Sequence, residues 1–515
     1  MSLAPPDGGD AAEAREEAMP WARLDRRMLL VHPVTEVVRL LPVLVVSFVV
    51  GTSSGNHLWS AVVLVIVVGA AIARWLTTSY RLGPVHVQLR TGVLQKKVLS
   101  IPRGRIRSVD VRANALHRLL GLAVVTVGTG QHAGTGETFE LNALDARVVP
   151  ALRDGLLETS AAAAPDTGIE TGTRFDDRPT TPAPPVRELA RVHPAWVRYA
   201  PFTLTGIVVV GAAAGLLGQS GAAGAVASSA IVDDTYRRVV DLGATAAVVV
   251  AVVAALVVSS VVAAVRYLLV YGNLVVTDDG ERLRVSHGVV STRHSSFDRT
   301  RLRGASVRRP LLLRLAGGAR LDAVMTGVSA DEHESSLILP PAPRSAVSTT
   351  AAALLPAMGD AVTARLVVHG PVARRRRVTR ALLPPAAVAV AVAGYAVSGR
   401  SVPWWVWAAL VVATLAASAL AADRYAALGH RAEPGLLVTE HGSLDRRRVV
   451  LDARGVVAWT VRQTFFQRRA GVATLVAATA AGTGAYRVLD VPVERAWAIA
   501  EAAAPGATDV WGADR

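Results

Sequence analysis

Long apolar runs alternate along this chain with stretches in which apolar and polar residues take turns. Crossing about 30 Å of hydrocarbon as a helix takes roughly 20 predominantly apolar residues, because nothing in the bilayer core satisfies an exposed backbone group. Six runs fit that description: Val37 to Ser53, His57 to Leu76, Ala200 to Leu217, Ala244 to Val270, Ala381 to Val397, and Val402 to Ala422. The first and fifth are short, with irregular starts at Pro42 and Pro384–Pro385. Only a few polar or Gly residues separate each of these from the run that follows it. The pattern predicts three pairs of transmembrane helices, at 37–76, 199–271 and 381–422.

The segments after the pairs have a different period. Arg105 to Arg112 alternates with the two-residue repeat of a half-buried strand, as does Val85 to Arg90. Leu122 to Gly128, Leu321 to Met325 and Val472 to Ala477 continue the strand pattern, and Leu144 to Leu157, Ser345 to Met358 and Val493 to Ala503 read as closing helices. These segments are copies of one another. Gly92 to Gly121, Gly288 to Gly317 and Gly442 to Gly471 align without a gap. Apolar columns at Ile101/Phe297/Leu451, Ile106/Leu302/Val456, Val111/Val307/Val461 and Leu116/Leu312/Phe466 predict core positions. Three columns are basic throughout: Lys97/Arg293/Arg447, Arg112/Arg308/Arg462 and Arg118/Arg314/Arg468. Gly92, Gly288 and Gly442 suit a turn at the start of the motif, and Gly121, Gly317 and Gly471 close it.

Charge near the spans sets their predicted orientation. Arg23, Arg26, Arg27, Arg74 and Arg81 flank the first pair, whereas its turn, Ser53 to Asn56, has no basic residue; Arg374 to Arg377 precede the third pair. Positive residues collect on the cytoplasmic side, so both termini and the three strand-rich domains are expected there, at the cell membrane. The net charge of +15 is carried almost wholly by Arg, Lys96 and Lys97 being the only lysines. Basic runs interleaved with aromatics are missing, and nucleic acid is not an expected partner. The chain has no cysteine, which excludes disulfides, thiolate metal sites and a cysteine nucleophile.

The run Ile101, Pro102, Arg105, Ile106, Ser108, Val109, Val111, Arg112, then Leu116, Arg118, Leu119, Gly121 and Leu122 resembles the bacterial PH-like domains of the YdbS/YdbT family of membrane proteins. The second copy keeps Arg301, Leu302, Val307, Arg308, Arg314 and Gly317; the third has Gly455 where the first has Arg105. The resemblance implies a membrane α-helical protein, with about six helices in three pairs, carrying three cytoplasmic PH-like β-barrel or sheet domains that each end in a helix. The expected order is a disordered tail over 1–30, PH-like domains at 77–158, 272–360 and 423–504, a linker at 159–190, a basic linker at 361–380 and a tail at 505–515. It also implies a non-enzymatic scaffold with a place in envelope stress or antimicrobial resistance.

Lys96, Lys97, Arg293, Arg446, Arg447 and Arg448 fall where the resemblance puts a tight strand connection like the one that meets lipid phosphates in eukaryotic PH domains. They are the candidates for contact with anionic headgroups or a partner. Arg118, Arg314 and Arg468 are expected to serve the fold by bonding strand ends or an acidic side chain. Gly128, Gly130, Gly134 and Gly136 read as a hairpin turn, and Asp331, Glu332, His333 and Glu334 as an exposed loop, since four adjacent side chains do not readily converge on one metal. No motif pairs a nucleophile with a base, so no catalytic residue, metal or cofactor is expected. Expected partners are the bilayer, its anionic headgroups, another membrane protein or a second copy. The alternative is a component of a transport or export system, which the lack of Asp, Glu, His or Lys at mid-membrane disfavours.

Overall fold

A computed structural model describes nearly all of residues 79–92, 96–128, 139–149, 186–203, 244–326 and 336–507, with scattered positions in 16–27, 69–77 and 208–215. Two compact units divide it, Met1–Thr300 and Arg301–Arg515. In the first repeat the strands are β1 (Ala22–Arg23), β2 (Ser79–Leu82), β3 (His86–Thr91), β4 (Lys97–Pro102), β5 (Ser108–Ala113), β6 (Leu122–Gly128) and β7 (Phe139–Asp145), with a one-turn helix α1 (Ala115–Leu119) after β5. The second repeat supplies β8 (Arg187–Arg191), helix α2 (Ala244–Tyr271), β9 (Val275–Asp278), β10 (Arg282–His287), β11 (Thr292–Asp298), β12 (Leu302–Pro310), α3 (Leu311–Leu315), β13 (Gly318–Met325), β14 (Leu337–Pro343) and α4 (Arg344–Leu354). The third supplies β15 (Val367–Val368), helices α5 (Gly370–Val397) and α6 (Trp404–Ala426), β16 (Gly429–Glu433), β17 (Leu436–His441), β18 (Asp445–Asp452), β19 (Val456–Arg462), α7 (Phe465–Arg469), β20 (Val472–Thr479), β21 (Ala485–Pro492) and α8 (Val493–Ala503).

One strand of each repeat precedes its apolar run, which the sequence pattern did not predict. β1 pairs with β2, β8 with β9 and β15 with β16, all antiparallel. The apolar segment is therefore an insertion between the first two strands of a sheet. Neighbouring strands lie about 4.8 Å apart, so each apolar segment leaves and returns at adjacent strands of one sheet. The strand Arg187–Arg191 also occupies the end of the expected linker at 159–190, and β15 and the start of α5 fill the expected basic linker at 361–380. The expected N-terminal tail is partly docked: the carboxylate of Glu16 accepts hydrogen bonds from the Val85 and His86 amides at 3.1 and 2.9 Å, and Trp21 stacks under Arg81 and Arg90.

Three described helices are long and apolar enough to cross a membrane: Val252–Tyr271 within α2, α5 and α6. They correspond to the fourth, fifth and sixth predicted spans. The first predicted span lies outside the described residues, as do most of the second and third; Ala200 to Thr203 end a 3-10 helix, Pro194–Thr203. α5 runs through Pro384–Pro385 and starts at Gly370, well before the predicted Ala381, so Arg374 to Arg377 are helical. Trp404 and Trp405, 79% and 60% exposed at the first turn of α6, sit where amphipathic rings favour the membrane interface.

The sheets do not respect the boundaries of the repeats. β1 to β4 form one sheet and β19 to β21 another; the remaining strands form two seven-stranded sheets ordered β7-β6-β5-β11-β10-β9-β8 and β14-β13-β12-β18-β17-β16-β15. The last three strands of one repeat thus join the first four of the next. Within Met1–Thr300 the first core gathers Val87, Leu89 and Ile101 with Val109, Val111, Val125 and Leu141. Within Arg301–Arg515 the last core gathers Leu437, Val449, Leu451, Leu475 and Val488 under Ala496 and Ile499 of α8. Leu144–Asp145, expected to begin a closing helix, end β7 instead; the rest of that expected helix lies outside the described residues from 150 on. The column Leu116/Leu312/Phe466 is not core, its members being 36%, 41% and 70% exposed. The residue buried from each one-turn helix is the next one, His117, Leu313 or Gln467, so residue type misplaced this column by one position.

Beneath the start of α5, buried His369 pairs with half-buried His430. His369 Nδ1 donates to the Leu489 carbonyl at 2.6 Å, which leaves its Nε2 to accept from His430 Nδ1 at 2.8 Å. Burial and the neighbouring ring hold His430 down to about 4, and burial lowers His369 as well. Both rings are neutral in the fold, so the unfolded chain binds more protons as pH falls below about 6.5. Stability present above that pH is expected to drop progressively toward pH 4. A melting series across this range should show the loss, and His430→Phe should flatten it; an unchanged slope in the variant would assign the pH dependence elsewhere.

Candidate functional site

The basic candidates are strand residues, and most are engaged. After Gly92, Gly288 and Gly442, whose φ angles are 118°, 109° and 102°, the chain passes within a few residues into β4, β11 or β18. At Gly288 a Cβ would fall 1.8 Å from the Ser291 carbonyl oxygen, so the turn excludes any side chain there. Gly121, Gly317 and Gly471 also have positive φ, at 70°, 76° and 66°, closing the one-turn helices.

Arg293 is only 5% exposed. Its Nε and Nη2 reach both oxygens of Asp110 on β5, at 3.1 and 2.5 Å, and Ser295 donates to the same carboxylate at 2.6 Å. Arg112 adds a third donor at 3.1 Å. Burial would push the Asp110 carboxyl up, but Arg293, Ser295 and Arg112 together outweigh it and hold the group below its ordinary value. Asp110 and Arg293 come from consecutive repeats, 183 positions apart. The supposed surface cation is a bidentate clamp at the seam of a continuous sheet.

The second seam repeats the register. Arg112 faces Arg293 across the first and Arg308 faces Arg447 across the second. Ser306 stands in the column of Asp110, and its hydroxyl accepts from Arg447 Nε at 2.8 Å. Arg308 takes Asp445 at 2.5 Å instead. Glu440, 5% exposed, pairs with Arg309 and, at 2.7 Å, with Arg448, which also donates to the Val362 carbonyl at 2.6 Å. Asp423, at the end of α6, receives Arg446 at 2.8 Å, Arg314 at 2.9 Å and the Ser443 hydroxyl at 2.8 Å. In the first repeat Arg118 likewise donates to the Val289 carbonyl of the second. The basic column at 293/447 therefore faces the preceding repeat, and those at 112/308 and 118/314 face the following one.

A family model described as the bacterial PH domain matches residues 37–160, 221–347 and 381–504. The chain belongs to the bacterial PH domain family. All three matches extend into apolar segments as well as strands, in keeping with apolar segments inserted between sheet strands. Bacterial PH domains point to a role in binding membrane or protein. Neither a curated protein nor a solved structure matched the chain.

Lys96 and Lys97 are exposed at the start of β4, an end strand of its sheet. Arg462 and Arg468 are exposed at and beyond the end of β19, in columns whose other members reach across a seam. Asp331 to Glu334 lie outside the described residues, as do Gly130, Gly134 and Gly136. Sequence reading missed Asp110, Glu440 and Asp423 because each acid lies far along the chain from the arginine it holds. The available signal was the column Asp110/Ser306/Thr460, a short oxygen-bearing side chain two positions before each conserved-register arginine.

Proposed function

We propose that this chain is a non-enzymatic membrane scaffold, akin to the YdbS/YdbT proteins, whose cytoplasmic PH domains bind other proteins more than lipid headgroups. The observation that carries this reading is the engagement of Arg293, Arg446, Arg447 and Arg448 by Asp110, Asp423, Ser306 and Glu440 of the chain itself. A guanidinium already in a bidentate or buried pair would have to break that pair, at a cost of several kcal/mol, to take a phosphate. Insertion of the apolar segments between paired strands supports domains held at one membrane face, and the basic flanks favour the cytoplasmic one.

The test uses the full chain in nanodiscs of neutral or anionic lipid, followed by hydrogen exchange. Segments carrying Arg293 and Arg446 to Arg448 are expected to exchange alike in both. Strong added protection of those segments by anionic lipid would overturn the protein-binding reading in favour of headgroup recognition.

A further inference from the structure

Among the described residues, the two seams leave one strand over at each end of the series. At the seams, the strand entering from the following repeat (β11 or β18) pairs along the edge of β5 or β12. The equivalent of β5 and β12 in the third repeat is β19, an end strand of the sheet β19-β20-β21. The equivalent of β11 and β18 in the first repeat is β4, an end strand of the sheet β1-β2-β3-β4. We infer that β19 of one chain accepts β4 of a second copy, forming a third seam between molecules with the register of the two within the chain.

The register follows from the pairing at the two seams. Carrying the observed pairing over places Arg462 opposite Lys97 and Thr460 opposite Leu99, as Arg112 faces Arg293 and Asp110 faces Ser295. Lys97 then lies beside the Thr460 hydroxyl as Arg447 lies beside Ser306. At the second seam the amide of Leu311, at the start of α3, donates to the Leu444 carbonyl of the next repeat at 2.7 Å. Its counterpart Phe465 and the adjoining Phe466 are 69% and 70% exposed, and Val457 on β19 is 80% exposed. An edge bearing such residues is a template for a further strand. The contact uses different surfaces on the two copies, so it propagates head to tail.

This inference rests on the protein-binding reading and names the partner as the chain itself. Because the protein lacks cysteine, single thiols can be placed at will. Two differently tagged full-length chains, Leu99→Cys and Thr460→Cys, are co-expressed in membranes and mildly oxidised. A covalent dimer carrying both tags is expected, and none when Leu99→Cys is replaced by Thr483→Cys in an exposed turn. Adding Arg462→Glu to the Thr460→Cys chain sets Glu against Lys97 and should raise the yield about threefold, the size of one cross-strand charge pair. Placing Lys97→Glu on the Leu99→Cys chain should cancel that gain. No adduct above the control, or no response to the charge swaps, would overturn the inference. The nanodisc exchange result does not depend on this outcome, so failure here leaves the protein-binding reading to be judged separately.

Discussion

Asp110→Ala is expected to destabilise the first seam by about 3–5 kcal/mol, the scale for removing one partner of a buried ion pair. The loss is large because Arg293 stays behind, 5% exposed, with the bidentate acceptor of its guanidinium gone. Ser295 loses its acceptor at the same time. Amides of β5 and β11 should open more easily, and their exchange in the full chain should accelerate on the order of a hundredfold or more. The double variant Asp110→Ala/Arg293→Leu removes both charges and should recover much of the protection, since a buried pair replaced by apolar side chains is often neutral. Equal exchange in Asp110→Ala and the parent would show that backbone pairing alone holds the seam.

The second large effect is expected at Asp490, 2% exposed and with φ at 53°. Its carboxylate faces Arg377 at 2.9 Å and Arg376 at 3.4 Å from the first turns of α5, and accepts from Gln467 at 2.9 Å. Asp490→Asn keeps the shape, the acceptor for Gln467 and a residue type that tolerates left-handed backbone, so it tests charge alone. A cost of about 3 kcal/mol or more is expected, read as a lower melting temperature and faster exchange in β21 and the start of α5. Arg377→Met added to Asp490→Asn should restore part of it. An unchanged melting temperature in Asp490→Asn would mean the two arginines are neutralised by solvent or headgroups rather than by Asp490.

These effects bear on how the protein can be cut for study. A first repeat expressed alone would end near residue 158 and lose β11, the strand that covers the edge of β5 and pairs with Asp110. A break placed after the seam, as at the division between Thr300 and Arg301, keeps each shared sheet whole.

Much of the architecture was legible because it is local. Period-two alternation located β3, β5, β6 and β20, apolar length located α2, α5 and α6, and the gapless repeat located the turn glycines. The strands at Arg293 and Arg446 to Arg448 were read as a charged turn because consecutive cations in a sequence normally mean solvent. β1, β8 and β15 escaped notice because the two to five residues in each have little pattern of their own and are strands only through a partner beyond the apolar insertion.

The sequence by itself determined that the chain is a threefold repeat, where its apolar spans and turns lie, and which columns are basic. Only the tertiary structure decided what those columns do, because a charge is read as exposed until its counterion is found, and Asp110 lies 183 residues from Arg293. It also decided that the sheet, not the repeat, is the continuous element. Hydrogen bonding along a strand edge is blind to where one copy ends, and the pairing of β5 with β11 and of β12 with β18 is what carries the fold from one repeat into the next.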